Sequence, residues 1–180
     1  MKNLIDIIES LKVGSKTKVN DSSHNYFPEK YNELRNLIEQ LLNKRGEDAN
    51  LNDIDTSKIK DMSYLFVGLG PHNIDISDWD VSNVKNMEGM FSDCRYFNCN
   101  LNYWDVSNVK NMEGMFIGCE NFNSDLSNWN VSKVKYMNRM FEDCKKFKTN
   151  LNNWDVSKVK NMDDIIKNCP LEKNPPKWYK

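Results

Sequence analysis

The sequence predicts an α/β repeat solenoid: a right-handed coil of short strands and short helices behind an α-helical N-terminal cap. Three observations predict it. One set of residue types returns every 25 positions, each return carries apolar residues at helical spacing, and an amphipathic stretch outside the repeat precedes the array.

The repeat is the strongest of the three. Trp79, Trp104, Trp129 and Trp154 stand 25 residues apart, and Cys94, Cys119, Cys144 and Cys169 keep the same step. So do Met87, Met112, Met137 and Met162, and Ser82, Ser107, Ser132 and Ser157. Phe91, Phe116 and Phe141 form a column that ends in Ile166; Phe97, Phe122 and Phe147 form another, and Leu101, Leu126 and Leu151 a third. The unit reads W-D-V-S-x-V-K-x-M-x-x-M-F-x-x-C-x-x-F-x-x-x-L-x-x. One step before Trp79 lies Ile54, so 54–66 begins a fifth, divergent copy in which Leu69 replaces Cys, His72 replaces Phe and Ile76 replaces Leu.

Within a unit, Val84, Met87, Met90, Phe91 and Cys94 lie at the spacing of one helical face, and Ser82 stands where an N-cap belongs. Gly89 and Gly114 weaken this helix by about 1 kcal/mol each, which favours a short or partly 3₁₀ form. Past the Cys the helical spacing stops, and the Asn-rich return to the next Trp reads as turns and a short strand. A single unit cannot bury its Phe, Met and Trp alone. Stacked neighbours can, at roughly 1.5–3 kcal/mol for each buried side chain.

The ends read differently. Residues 28–45 form an amphipathic helix with Tyr31, Leu34, Leu37, Ile38, Leu41 and Leu42 on one stripe, Pro28 in its first turn and Gly46 as its stop. Residues 1–12 form a second short amphipathic helix, which reads either as a further piece of cap or as a targeting or docking peptide, and 13–27 read as a polar linker. The expected organisation is therefore a helix plus flexible linker over 1–27, a helical cap over 28–50, five repeats over 51–169 and a C-terminal cap or tail over 170–180. In that tail Pro170, Pro175 and Pro176 break the pattern, and Trp178 and Tyr179 fold back over the last unit.

Composition narrows the function. The 25 basic and 26 acidic residues balance, so no charge surplus points to nucleic acid or an anionic membrane. No apolar run approaches the roughly 20 residues of a transmembrane helix, and Asp6 and Glu9 interrupt what would be the apolar core of a secretory signal. The expected location is cytoplasmic or virion-associated rather than secreted. The five cysteines suit a reducing compartment.

Catalytic and metal-binding patterns are sparse. Of the two histidines, His24 falls in the linker and His72 takes a Phe slot, which makes it an aromatic substitute beside a turn rather than a general base. The Cys column steps by 25, far from the short pairs of zinc sites, so it reads as core, as does the Met column. The Asp column (Asp55, Asp80, Asp105, Asp155, with Asn130) supplies one carboxylate per unit, too few for calcium, and reads as bonding backbone or favouring the helix start. The Lys column (Lys60, Lys85, Lys110, Lys135, Lys160) reads as a solvated face, or as a stripe for an acidic partner. No phosphate-binding loop, nucleophile elbow or dinucleotide fingerprint is present. The expectation is thus no catalytic residues, no cofactor and no metal.

The repeat W-D-V-S-N-V-x-N-M-x-x-M-F-x-x-C-x-x-F-N resembles the 25-residue leucine-rich-repeat variant of the mycoplasma-lipoprotein type, grouped with BspA-like surface proteins. Segment 33–66 is similar to the cap of that family, and the resemblance spans about 28–169. It implies a leucine-rich-repeat-like fold and a surface, adhesion or interaction role. Residues 1–19 are similar to short peptides that target proteins into tailed-phage heads. The functional expectation is a non-enzymatic protein–protein interaction module with an unknown protein partner. The alternative is a structural or packaged, phage virion-associated protein directed by its N-terminal helix. The expected partner surface is the strand side and its Asn-rich turns: Asn100, Asn102, Tyr103, Asp125, Ser127, Asn150 and Asn152.

Overall fold

The computed structural model describes residues 24–71 and 73–180, so the readings made for residues 1–23 and for His72 lie outside the described residues. Helix α1, Tyr31–Arg45, buries Leu34, Leu37, Ile38, Leu41 and Leu42, and Gly46 ends it at φ 88° with its amide bonded to the Leu42 carbonyl. Pro28 precedes the helix rather than opening it. The first turn is held instead by the Glu33 carboxylate, which accepts from the Glu29 amide at 2.9 Å. Beyond α1 there is one 3₁₀ turn, Pro170–Lys173.

The expected α/β architecture is wrong. Among the described residues the repeats contain no helix and no strand, only turns, irregular backbone and isolated parallel bridges, so the chain is not an α/β repeat solenoid and does not show the leucine-rich-repeat pattern. The bridges explain what replaces it. Asp61, Asn86, Asn111, Tyr136 and Asn161 pair in succession, each with the residue 25 positions on. Units stack in register, and their backbone groups are satisfied across the joint rather than along the chain.

Two left-handed positions per unit forbid the helix. Tyr64, Gly89, Gly114, Arg139 and Asp164 have φ between 55° and 57°, and Gly68, Asp93, Gly118, Asp143 and Asn168 have φ between 55° and 74°. An α-helix needs an unbroken run of negative φ. Between these positions the amides of Met87, Gly89, Phe91 and Asp93 donate to the carbonyls of Asn111, Glu113, Met115 and Ile117 in the next unit, at 2.8–2.9 Å. Those of Met90, Ser92 and Cys94 close tight turns onto Met87, Gly89 and Phe91. Ser82 caps no helix: its amide and hydroxyl both donate to the Asp80 carboxylate, at 3.0 and 2.6 Å.

The columns pack as continuous ladders. Phe66, Phe91, Phe116 and Phe141 stack at centroid distances of 5.1, 5.5 and 5.8 Å, and each later member meets the second Phe of its own unit at 4.1 Å. Each Trp indole N–H donates to a carbonyl of the preceding unit: Trp79 to Leu51, Trp104 to Ile76, Trp129 to Leu101 and Trp154 to Leu126, at 2.9–3.1 Å. Trp178 extends this column. It stacks on Trp154 at 6.3 Å and donates to Leu151 at 2.7 Å. At the other end α1 lies against the first unit. Arg35 donates to the carbonyls of Leu65 and, at 2.7 Å, Val67, and Arg45 pairs with Asp53 at 2.8 Å. Tyr26 is buried and bridges to Ile54.

Candidate functional site

Three short-range motifs hold the outer face. Asn50, Asp75, Asn100, Asp125 and Asn150 each accept from the amide two residues on, at 2.9–3.1 Å. The column Asp55, Asp80, Asp105, Asn130, Asp155 does the same for the Ser that follows. A third set uses Asp61, Asn86, Asn111 and Asn161. These are Asx turns, in which a short side chain replaces a backbone acceptor. The bonds to Ser127 hold the Asp125 carboxyl below its usual range.

The structure therefore brings six of the seven expected partner-surface residues together as turn formers: Asn100 with Asn102, Asp125 with Ser127, Asn150 with Asn152. Asn102 also accepts from Asn128 at 3.2 Å, and Asn152 from the Lys177 amide at 2.8 Å. Tyr103, at 82% exposure, stands out from this face.

A neighbouring region forms an open trough of about 730 Å³, lined by Asn73, Tyr96, Asn98, Asn121, Asn123, Lys145, Lys146, Lys148 and Pro170. Register builds it. The second position after Cys and the first after the second Phe recur in successive units, giving Tyr96–Asn121–Lys146 and Asn98–Asn123–Lys148. Asn98 accepts from the Asn123 amide at 2.9 Å and Asn123 from the Lys148 amide at 3.1 Å. Lys146 donates to Asn121, and Lys145 pairs with Asp143, which holds the aspartate down and the lysine up. None of the seven expected residues lines this trough. The signal that marks it is variation, since its positions change from unit to unit while the flanking Cys and Phe do not. Asn150 and Asn152 instead line a smaller notch of about 260 Å³ beside Pro175 and Pro176.

The Lys column is a backbone ladder. Each amide of Lys85, Lys110, Lys135 and Lys160 donates to the preceding Lys carbonyl at 2.8 Å, and the five side chains are exposed. Acidic residues flank it in sequence on both sides, Asp80 and Asp105 before and Glu88 and Glu113 after.

The cysteines are core residues. All five are free and buried, and Cys119 and Cys144 each donate to a Phe carbonyl of the preceding unit at 3.0 Å. Burial pushes Cys94 up to about 12, Cys99 and Cys169 up to about 11, and Cys119 and Cys144 well above the ordinary thiol range. The thiolate is the reactive form, so the native protein is expected to resist iodoacetamide near about pH 8 and to label at all five sites once unfolded. A raised folded pKa leaves its stabilisation intact below the unfolded value near 9.0 and removes it as pH climbs towards about 12, so urea midpoints are expected to fall over that window. Mass spectrometry of labelled protein and urea titrations across pH check both. Among the described residues no group of three or more His, Cys, Asp or Glu is placed to hold a metal ion, and no helix is long and apolar enough to cross a membrane.

Fold and surface together define a repeat protein of stacked 25-residue units with a polar, asparagine-rich exterior. The chain matches the family described as Mycoplasma protein of unknown function, DUF285, over residues 32–124 and again over 72–178, and it belongs to that family. No curated protein and no solved structure matches it.

Proposed function

We propose that this chain is a non-catalytic binding module that engages the acidic surface of a protein partner through the Tyr96–Asn–Lys trough. The observation that carries this reading is the trough's lining: among the described residues it consists of amides, ammonium groups, one tyrosine and one proline, with no carboxylate, serine or cysteine. Such a set supplies hydrogen bonds, an aromatic anchor and electrostatic complementarity, the ingredients of recognition, and lacks a nucleophile–base pair. The stacked units hold the backbone positions of these groups at fixed spacing, so binding need not order the backbone. The resemblance of the repeat to BspA-like surface proteins, mostly described as adhesion or interaction proteins, supports a binding role.

The test is capture from source-cell extract by the full chain, read by mass spectrometry. Lys146→Glu/Lys148→Glu is expected to weaken capture of the wild-type partners by about tenfold, roughly 1.4 kcal/mol, while Lys85→Glu leaves it unchanged. Equal capture by wild type and the double variant would sink the assignment of this trough.

A further inference from the structure

The joints between units are polarised. In the segment that replaces the expected helix, one unit contributes amides and the next contributes carbonyls. At the last joint, Met137, Arg139, Phe141 and Asp143 donate to Asn161, Asp163, Ile165 and Lys167 at 2.8–3.0 Å. A stack built this way ends in a bare row of carbonyls on one side and a bare row of amides on the other. The carbonyl end is partly sealed by α1, where the Arg35 guanidinium donates to Leu65 and Val67, two of the row's four carbonyls, and to Tyr64 beside them.

Among the described residues the amide end has no comparable cover. Among the described residues the backbone N–H groups of Met162, Asp164, Ile166 and Asn168 have no acceptor. The side chains beside them are uncovered too. Val131, Val134 and Met137 are buried, whereas their counterparts Val156, Val159 and Met162 are only half-buried. The C-terminal segment protects a different part of this end, through Trp178 on Trp154 and Lys177 on Asn152. A row of backbone donors without acceptors beside half-buried apolar side chains is a template for another backbone.

We propose that this C-terminal edge docks a segment of a separate polypeptide that follows the same turn path as a repeat unit, whose carbonyls accept from these four amides and whose apolar side chains cover Val156, Val159 and Met162. The protein's own joints show the chemistry that fits: a carbonyl row like that of Asn111, Glu113, Met115 and Ile117, with apolar residues between. A second copy joined head to tail does not fit, because Arg35 occupies its carbonyl edge. A free anion is disfavoured by the exposed carboxylates of Asp163 and Asp164 within the row. This edge is distinct from the trough, so either assignment stands without the other.

The probe is a synthetic peptide of residues 105–129 carrying Cys119→Ser, titrated into the ¹⁵N-labelled full chain. The expected result is saturable movement of the Met162, Asp164, Ile166 and Asn168 amide signals, with at least tenfold weaker binding to the Val159→Lys variant. Three results would overturn the proposal: no movement at millimolar peptide, equal affinity in Val159→Lys, or the same shifts with inorganic phosphate alone, which would make the row an anion site. Concentration-dependent shifts of these signals without peptide would assign the edge to self-association instead.

Discussion

Trp104→Ala is expected to lower the free energy of unfolding by about 3–5 kcal/mol, the range for deleting a buried large aromatic side chain. Trp104 is 4% exposed and lies in the middle of its column. Its ring leans on Phe91 at 6.4 Å, and its indole N–H donates to the Ile76 carbonyl at 3.1 Å. Truncation opens a cavity between two units and strands a buried carbonyl, and both losses fall on the joint that couples them. Trp104→Phe keeps most of the ring and loses only the donor, so it is expected to cost about 1–3 kcal/mol. Lys110→Ala, on the exposed ladder, is expected to stay within about 0.5 kcal/mol. Urea unfolding of the three variants checks the order. A Trp104→Ala protein as stable as wild type would mean that the indole column does not bind the units together.

The second large effect is expected at the opposite kind of residue. Arg35→Ala should cost about 2–3 kcal/mol, the scale of hydrogen bonds that involve a charged group. Arg35 is half-buried on α1 and reaches the carbonyls of Leu65 and Val67; the counterparts of Leu65 in every later unit, and those of Val67 in the last three, receive backbone amides. Removing it leaves these acceptors facing the helix without a donor. Arg35→Lys is expected to recover less than half of the loss, because a single ammonium group does not span two carbonyls as the planar fork does. Hydrogen exchange locates the effect: amides of α1 and of 62–67 should exchange faster, while those of 137–143 should not. Uniform acceleration along the chain would show that the seal acts on the whole stack rather than on its first unit.

These two residues show how unevenly the molecule was legible. The period, the inward columns and the burial of Phe, Met, Val and Cys followed from sequence, because a fixed step of 25 residues places like residues above one another whatever path the backbone takes. The amphipathic stretch of α1 was equally plain. The path itself was misread. Val84, Met87, Phe91 and Cys94 have helical spacing, but tight turns with left-handed residues at Gly89 and Asp93 return the same side chains to the inside. In other units Tyr64, Arg139 and Asp164 hold the left-handed place of Gly89, so residue type alone did not mark it.

The candidate site was harder still. Asn100, Asp125 and Asn150 are exposed, and their side chains also form Asx turns with their own backbone, a role that residue type alone does not reveal. Tyr96, Asn121 and Lys146 became a surface only when stacking set them side by side. Local chemistry in the sequence determined the repeat, its core and its turns. The tertiary structure decided which amides cross between units and which carbonyls Arg35 meets, because those depend on what each unit finds one step away along the stack.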